Sequence, residues 1–494
     1  MNKEIRKAIS DEIFRRHGYR FMEAKIKPVH IANALVRAEH ECVGRMSVLK
    51  QLFQATLNQS AIEDRLTAAK GLVENHRERW GRLGEAEDLR SSALMTKVLP
   101  LIRTLLGADG AVFGVSPEFS SFSSPTALTV TGDASDDGAG AFVHRLWGGN
   151  SESDRLDILE LLNSLTAPDK DASDLDDLSA LLAPLVEETK SKSASTVVAE
   201  DLSVSFSPIE TALRESAKAL AAYERKLKPN PIATLQRVIL LAALSVFVHA
   251  ATRPRERYGL PERILLVDAS GDAYSNIADA STRCVAQTIS DARAYMAAVL
   301  RDLMRAVSPT WYQDPLGAIN TFLESNGNAP IEASHATIKR LTEIRADALP
   351  EEIEAESADE IIRAIEGSSG RGLDGYLRLL GIRSGFLYPQ QKNPKKRLVP
   401  TDRTLEVLVA SVVDVSSSPI EYRDFLDLLR HRWGIVVGGR IDDAELLSEV
   451  GAHVPARELT ENSERFLSRL ESIGLARRLA DSVAVVGLME DSYE

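Results

Sequence analysis

Glu464-Arg465-Phe466-Leu467-Ser468-Arg469-Leu470-Glu471-Ser472-Ile473-Gly474-Leu475 sets Phe466, Leu467, Leu470 and Ile473 at helical steps and then stops at a glycine. Such spacing gives one apolar face on a helix, and Gly474 is a natural C-terminal stop. Immediately after it, Leu475–Leu479 and Val483–Leu488 flank Ala480-Asp481-Ser482. Two short apolar runs around three turn-forming residues predict an antiparallel hairpin.

Working towards the N-terminus, Leu405, Leu408, Val409, Val412 and Val413 recur at helical spacing in Thr404–Asp414. Ser418 and Pro419 then read as an N-cap and a first-turn proline for a second helix carrying Tyr422, Phe425, Leu426 and Leu429, which ends near Gly434. A short strand is expected at Ile435–Val437, a weaker helix at Asp442–Val450, and the quoted helix over Thr460–Ile473.

Helices followed directly by a hairpin make Thr404–Leu488 resemble winged helix-turn-helix domains, over about a fifth of the chain. The resemblance implies double-stranded DNA contact through Arg465, Arg469, Arg477 and Arg478, or a protein contact made by the same fold. Charge favours the protein contact. Residues 396–494 hold 12 Lys and Arg against 18 Asp and Glu, and phosphate affinity comes mainly from basic charge.

The whole chain carries a net charge of −13 with 44% hydrophobic and 27% charged residues, so nucleic-acid binding would need a local patch. Its 494 residues exceed one ordinary core. Only two cysteines occur, Cys42 and Cys284, both in apolar helical patterns. That excludes a disulfide framework and a cysteine zinc site, and a cytoplasmic location is expected. Charged residues follow the first methionine, so no secretory signal is read. Val238–Ala251 is the longest apolar run, yet as a helix it spans only about 21 Å. It is read as a buried core helix, with no membrane contact.

The expected fold class is mainly α and multidomain. Residues 1–106 read as a helical bundle through Ile5–His17, Pro28–Phe53, Glu63–Trp80 and Ser91–Leu106, and residues 107–205 as an irregular, acidic, partly β insertion with a linker near 168–205. The β-prone pieces are Ala111–Val115, Ala127–Val130 and Ala141–Leu146. Residues 206–314 form a central helix–strand–helix core: helices Ile209–Leu227 and Pro231–Ala251, a strand at Arg263–Asp268, and a long helix Asn276–Val307. Residues 315–395 are helical again. A basic Pro/Gly connector, Gly381–Thr401, leads into the winged-helix unit at 396–494 and offers Lys395, Lys396 and Arg397 to phosphate.

Asp268-Ala269-Ser270-Gly271-Asp272 follows the expected central strand, where a carboxylate and a hydroxyl can coordinate a hard cation. It resembles the Asp-x-Ser-x-Ser metal loop of von Willebrand A domains, which implies Asp268, Ser270 and Asp272 as ligands. Asp272 stands in place of the second serine, and no later Thr and Asp positions complete that set. The plain alternative is a strand-to-helix turn with Asp272 or Ser275 as cap and Gly271 at an unusual backbone angle.

Arg253, Arg255, Arg257 and Arg263 gather around Pro254 and form an anion-binding candidate, against the plain reading of cations at a helix C-terminus. The nine histidines lack metal-ligand spacing, and His249 reads as a core residue. Trp147, Trp311 and Trp433 read as core or interface anchors, as does Trp80. No phosphate-loop, dinucleotide or nucleophile-elbow motif is present, and no cofactor is expected.

A helical body, basic connector and terminal winged helix look like accessory proteins encoded beside ATPases in bacterial anti-phage defence systems. The expectation is a non-enzymatic, DNA-associated or scaffold subunit of a bacterial multi-protein complex, with an ATPase or nuclease as partner. A metal-dependent module centred on Asp268 and a transcriptional regulator are the alternatives.

Overall fold

The computed structural model describes residues 2–20, 26–40, 43–45, 136–166, 187–189, 206–227, 231–257, 263–327, 330, 335–344, 349–369, 375–389, 395–416, 419–479 and 483–488. Most of them are helical. Helices α1 (Asn2–His17) and α2 (Pro28–His40) precede a short strand β1 (Val43–Arg45); α3 (Ala139–Gly148) and α4 (Asp157–Thr166) follow, then β2 (Glu187–Thr189), antiparallel to β1. Next come α5 (Pro208–Leu227), α6 (Pro231–Arg257), β3 (Leu265–Leu266), α7 (Asn276–Val307), α8 (Pro315–Ser325), α9 (His335–Thr342), α10 (Pro350–Ser369) and α11 (Gly375–Arg383). A hairpin of β4 (Leu387–Tyr388) and β5 (Arg397–Leu398) leads into α12 (Asp402–Val412), β6 (Ile420–Glu421), α13 (Tyr422–Trp433) and β7 (Ile435–Val436). Last are α14 (Asp443–Glu449), α15 (Ala456–Ser472), β8 (Ala476–Arg478) and β9 (Ala484–Val486).

The apolar run of α6 is buried from Val238 to Val248, and α2, α3, α4, α5, α7, α11 and α12 pack around it. Ala233–Arg253 is the one stretch among the described residues long and apolar enough to cross a membrane, and 83% of its apolar window is buried inside the protein. Core burial, not lipid, accounts for its composition. Trp147, Trp311 and Trp433 are fully buried, as expected of anchors, and Cys284 is buried too; Trp80 and Cys42 lie outside the described residues.

Several elements depart from the sequence reading. The second helix stops at His40 instead of running to Phe53, because Val43-Gly44-Arg45 is extended and pairs with Glu187–Thr189. Glycine is a poor helix interior residue, so Gly44 favours the extended pairing over a longer helix. Ala141–Leu146 is helix, not strand: Asp136 accepts from the Gly140 amide at 2.9 Å, Gly138 opens the turn at φ +88, and Phe142, Val143, Leu146 and Trp147 share one buried face. With α4, it places two ordered amphipathic helices inside the stretch read as irregular. Ser418 lies outside the described residues, and Pro419 starts no helix. Ile420 and Glu421 instead form β6, and α13 begins at Tyr422. Glu63–Trp80, Ser91–Leu106, Ala111–Val115 and Ala127–Val130, with nearly all of 168–205, lie outside the described residues.

The central strand finds its partners at the far end of the chain. β7 runs parallel to β3 in the register Leu265–Ile435 and Leu266–Val436, and Val267 makes a parallel bridge to Leu398 at the end of β5. The Leu265 amide donates to the Gly434 carbonyl, Val267 to Val436, and Asp268 to Leu398, each at 2.8 Å. The α/β element expected within 206–314 is therefore completed by residues from 396 onwards. A boundary at 395/396 falls inside the β4–β5 hairpin. A three-stranded sheet stands apart, with strand order β6-β9-β8 and all pairs antiparallel. The hairpin Leu475–Leu488 supplies two of its strands.

Candidate functional site at the end of the central strand

Each strand of the central sheet is apolar because both faces are covered: Leu265, Leu266, Ile435 and Val436 are all buried. The chain leaves β3 through Val267-Asp268 and enters α7 by a tight loop. In open α/β sheets the carboxyl ends of parallel strands are where ligands are usually received. Two sets of residues read separately in the sequence, the Asp268 loop and the arginines assigned to duplex DNA, meet at this end.

Asp268 is buried. Its Oδ1 accepts from the Ser270 amide at 2.9 Å and from the Ser270 hydroxyl at 2.5 Å, and its Oδ2 receives the guanidinium of Arg397. A protein cation thus occupies the side of the carboxylate that faces β5. Asp272 points elsewhere, its Oδ1 accepting from the Tyr274 amide at 2.9 Å. Ser275 is the N-cap of α7, accepting from the Ala278 amide at 3.1 Å, and Gly271 has φ +72 with open space where a Cβ would be. The turn-and-cap reading describes this loop. Among the described residues no group of three His, Cys, Asp or Glu side chains converges as a metal site.

From α15, Arg465 donates to the Ser270 carbonyl at 2.9 Å, and Glu458 accepts from the Asn276 side chain at 2.8 Å. Between them Asn462 is buried and bonded on three sides. Its amide nitrogen donates to the carbonyls of Val267 and Val437, each at 2.8 Å, while its oxygen accepts from the Ala269 amide at 2.9 Å. On the other side Ser281 of α7 donates to the Leu266 carbonyl at 2.7 Å and accepts from the Leu398 amide at 2.9 Å. Sequence reading missed both residues. A signal existed for Asn462: it interrupts the apolar stripe Leu459, Phe466, Leu467 and Leu470, and a polar residue on a buried face must find partners.

The other basic candidates are mostly engaged within the chain. Arg469 donates twice to Asp402 Oδ1, at 2.8 and 3.1 Å. Arg478 reaches Glu471 and Glu464 at 3.1 Å each. Lys396 is buried and donates to the Pro389 carbonyl, while Lys395 and Arg477 are exposed. Burial and the nearby Arg378 pull the Lys396 ammonium below its ordinary range.

In the arginine cluster after α6, Arg253 pairs with Glu256 at 2.9 Å and Arg255 with Asp291. Arg263 is buried, and no carboxylate among the described residues pairs with it. It donates to the Thr252 hydroxyl at 2.9 Å and to the Trp433 carbonyl, the last turn of α13. The negative end of that helix stabilises the charge in place of an anion. Arg257 is the last residue of α6. Neither a protein-family model nor a curated protein matches the chain.

Proposed function

We propose that this chain is a non-enzymatic scaffold subunit of a bacterial multi-protein complex acting on DNA, with residues 396–494 as its docking element. One observation carries the reading: helix, strand, helix, helix and hairpin run in the order α12, β6, α13, α15, β8–β9, and β6 closes the hairpin into a three-stranded sheet. That order resembles the one expected of a winged-helix module, with β7 and α14 lying between α13 and α15. Protein docking is favoured over duplex contact, because Arg397, Arg469 and Arg478 are already neutralised by carboxylates of the same chain. The strand ends on either side of residues 480–482 instead offer apolar atoms, Leu479 at 43% and Val483 at 40% exposure. Anti-phage defence is the setting that this arrangement resembles.

The test is co-purification of the full-length chain from its source, followed by identification of what remains bound. A stable ATPase or nuclease partner, lost in the Leu479→Asp/Val483→Asp variant, is the expected result. A free homodimer bound to a promoter would replace this reading with a regulator. Salt-sensitive duplex binding by the intact chain, weakened by replacing the exposed Lys395 and Arg477 with alanine, would move the DNA contact onto this chain.

A further inference from the structure

The end of α1 is held on the core by a wholly buried polar cluster that the docking reading does not use. The Tyr19 hydroxyl lies 2.8 Å from His249 Nδ1, and His17 Nε2 lies 2.5 Å from the Tyr295 hydroxyl. His17 and His249 stand edge to face, with ring centres 5.9 Å apart, and the Phe142 ring packs on His249 at 4.5 Å. Five other helices meet the end of α1 here. α5 contributes Glu210, whose Oε1 is 3.5 Å from His249 Nε2. α6 contributes Arg253 and Glu256, which pair with each other, and α3 contributes Arg145, which donates to the His17 carbonyl at 3.2 Å. α7 brings Tyr295, and Tyr376 of α11 is buried near Tyr19.

The carboxylate facing Nε2 keeps the proton of neutral His249 on that nitrogen, so Nδ1 accepts from the Tyr19 hydroxyl. Charges then balance: Glu210 answers Arg145, and Glu256 answers Arg253. A second proton on His249 leaves an excess positive charge at a buried position, and it turns Nδ1 into a donor facing the hydroxyl that donated to it. Burial already disfavours the imidazolium, while Glu210 only partly restores it. We propose that His249 is an acid-sensitive latch that seats the end of α1 on the helical core and releases it as pH falls.

The linkage has a definite sign. A histidine whose folded pKa lies below its unfolded value of about 6.5 takes up protons preferentially when its site opens, so the closed state weakens as pH falls below that value. Glu210 acts in a different window. Burial opposes its ionisation, but the facing imidazole, once protonated, and the Ser207 amide at 2.8 Å hold its carboxyl at about 2. Its contribution is full above the ordinary carboxylate value and is lost only as pH falls towards 2.

Hydrogen exchange of the full-length chain between pH 8 and 5, corrected for intrinsic chemical rates, tests the latch. Opening of peptides covering residues 2–20 should rise by up to about tenfold per pH unit below about 6.5, while α6 peptides stay protected. His249→Gln should flatten the dependence, and Glu210→Gln should keep it and extend it to lower pH. Unchanged opening of α1 down to pH 5 overturns the proposal, and so does opening of α1 and α6 together. Retention of the wild-type profile in His249→Gln also overturns it. If that variant does not fold, the wild-type onset decides: a change starting only in the carboxylate range assigns the effect to Glu210 and ends the histidine latch.

Discussion

Asp268 and Arg397, 129 positions apart in sequence, form an ion pair in which the carboxylate side chain is 1% exposed and the guanidinium 12%. It ties the loop after the central strand to the hairpin strand β5. The same carboxylate also orders Ser270, so one side chain fixes the loop and its attachment.

Removing only the cation should therefore be costly. Arg397→Met leaves a buried carboxylate facing no charge, and a loss of about 3–5 kcal/mol is expected. Urea denaturation of Arg397→Met, Asp268→Asn and the double variant checks it. The double variant should recover part of the loss, because a neutral pair has no uncompensated charge; a double variant as weak as Arg397→Met would show that the ion pair is incidental.

Asn462 makes a second such connection. Asn462→Leu leaves the carbonyls of Val267 and Val437 and the Ala269 amide without their partner, at about 1–3 kcal/mol for each group not reached by water. Exchange of amides in β3 and β7 should rise together in this variant. Local exchange confined to α15 would mean that the side chain does not hold the strands.

Residues 396–494 should not form a stable fragment. β7 takes its hydrogen bonds from β3, α12 packs on α5 and α6, and Arg263 holds the end of α13, all from outside the fragment. A fragment of 396–494 should show a broad thermal transition, whereas 206–494 should unfold cooperatively. A sharp transition in the shorter fragment would make the C-terminal unit autonomous.

Cys284 gives a chemical probe of the core. Burial raises its thiol to about 11, so the reactive thiolate is scarce at neutral pH and its sulfur is inaccessible. Peptide mapping after iodoacetamide treatment at pH 8 should find Cys284 unmodified in the native chain and alkylated in urea. Rapid native alkylation would show that α7 opens readily.

Helices with a long apolar face were legible from periodicity alone: Asn276–Val307 matches its expected bounds, and Pro208–Leu227 and Pro231–Arg257 differ from theirs by a few residues. The α6 run could be assigned to a core because its length falls short of a bilayer. Ser275 and Gly271 were legible too, since a cap and a left-handed turn are made by neighbouring residues. Short elements were not. Ala141–Leu146 carries too few residues to separate a period of two from one of 3.6, and Ile420–Glu421 becomes a strand only because Val486 and Val485 lie beside it.

By itself the sequence determined the helical class, the buried α6 and the hairpin near the C-terminus, because helix periodicity, turn chemistry and apolar run length act within a few residues. Only the tertiary structure decided that β3 pairs with β7 and that Val267 after it bridges to Leu398, that Arg397 serves Asp268 instead of a free surface, and that His249 meets Tyr19 and Glu210. Those are contacts between residues far apart in the chain. Each is selected by what a buried strand edge, carboxylate or imidazole finds at hydrogen-bonding distance once the helices have packed, and no local pattern records that neighbour.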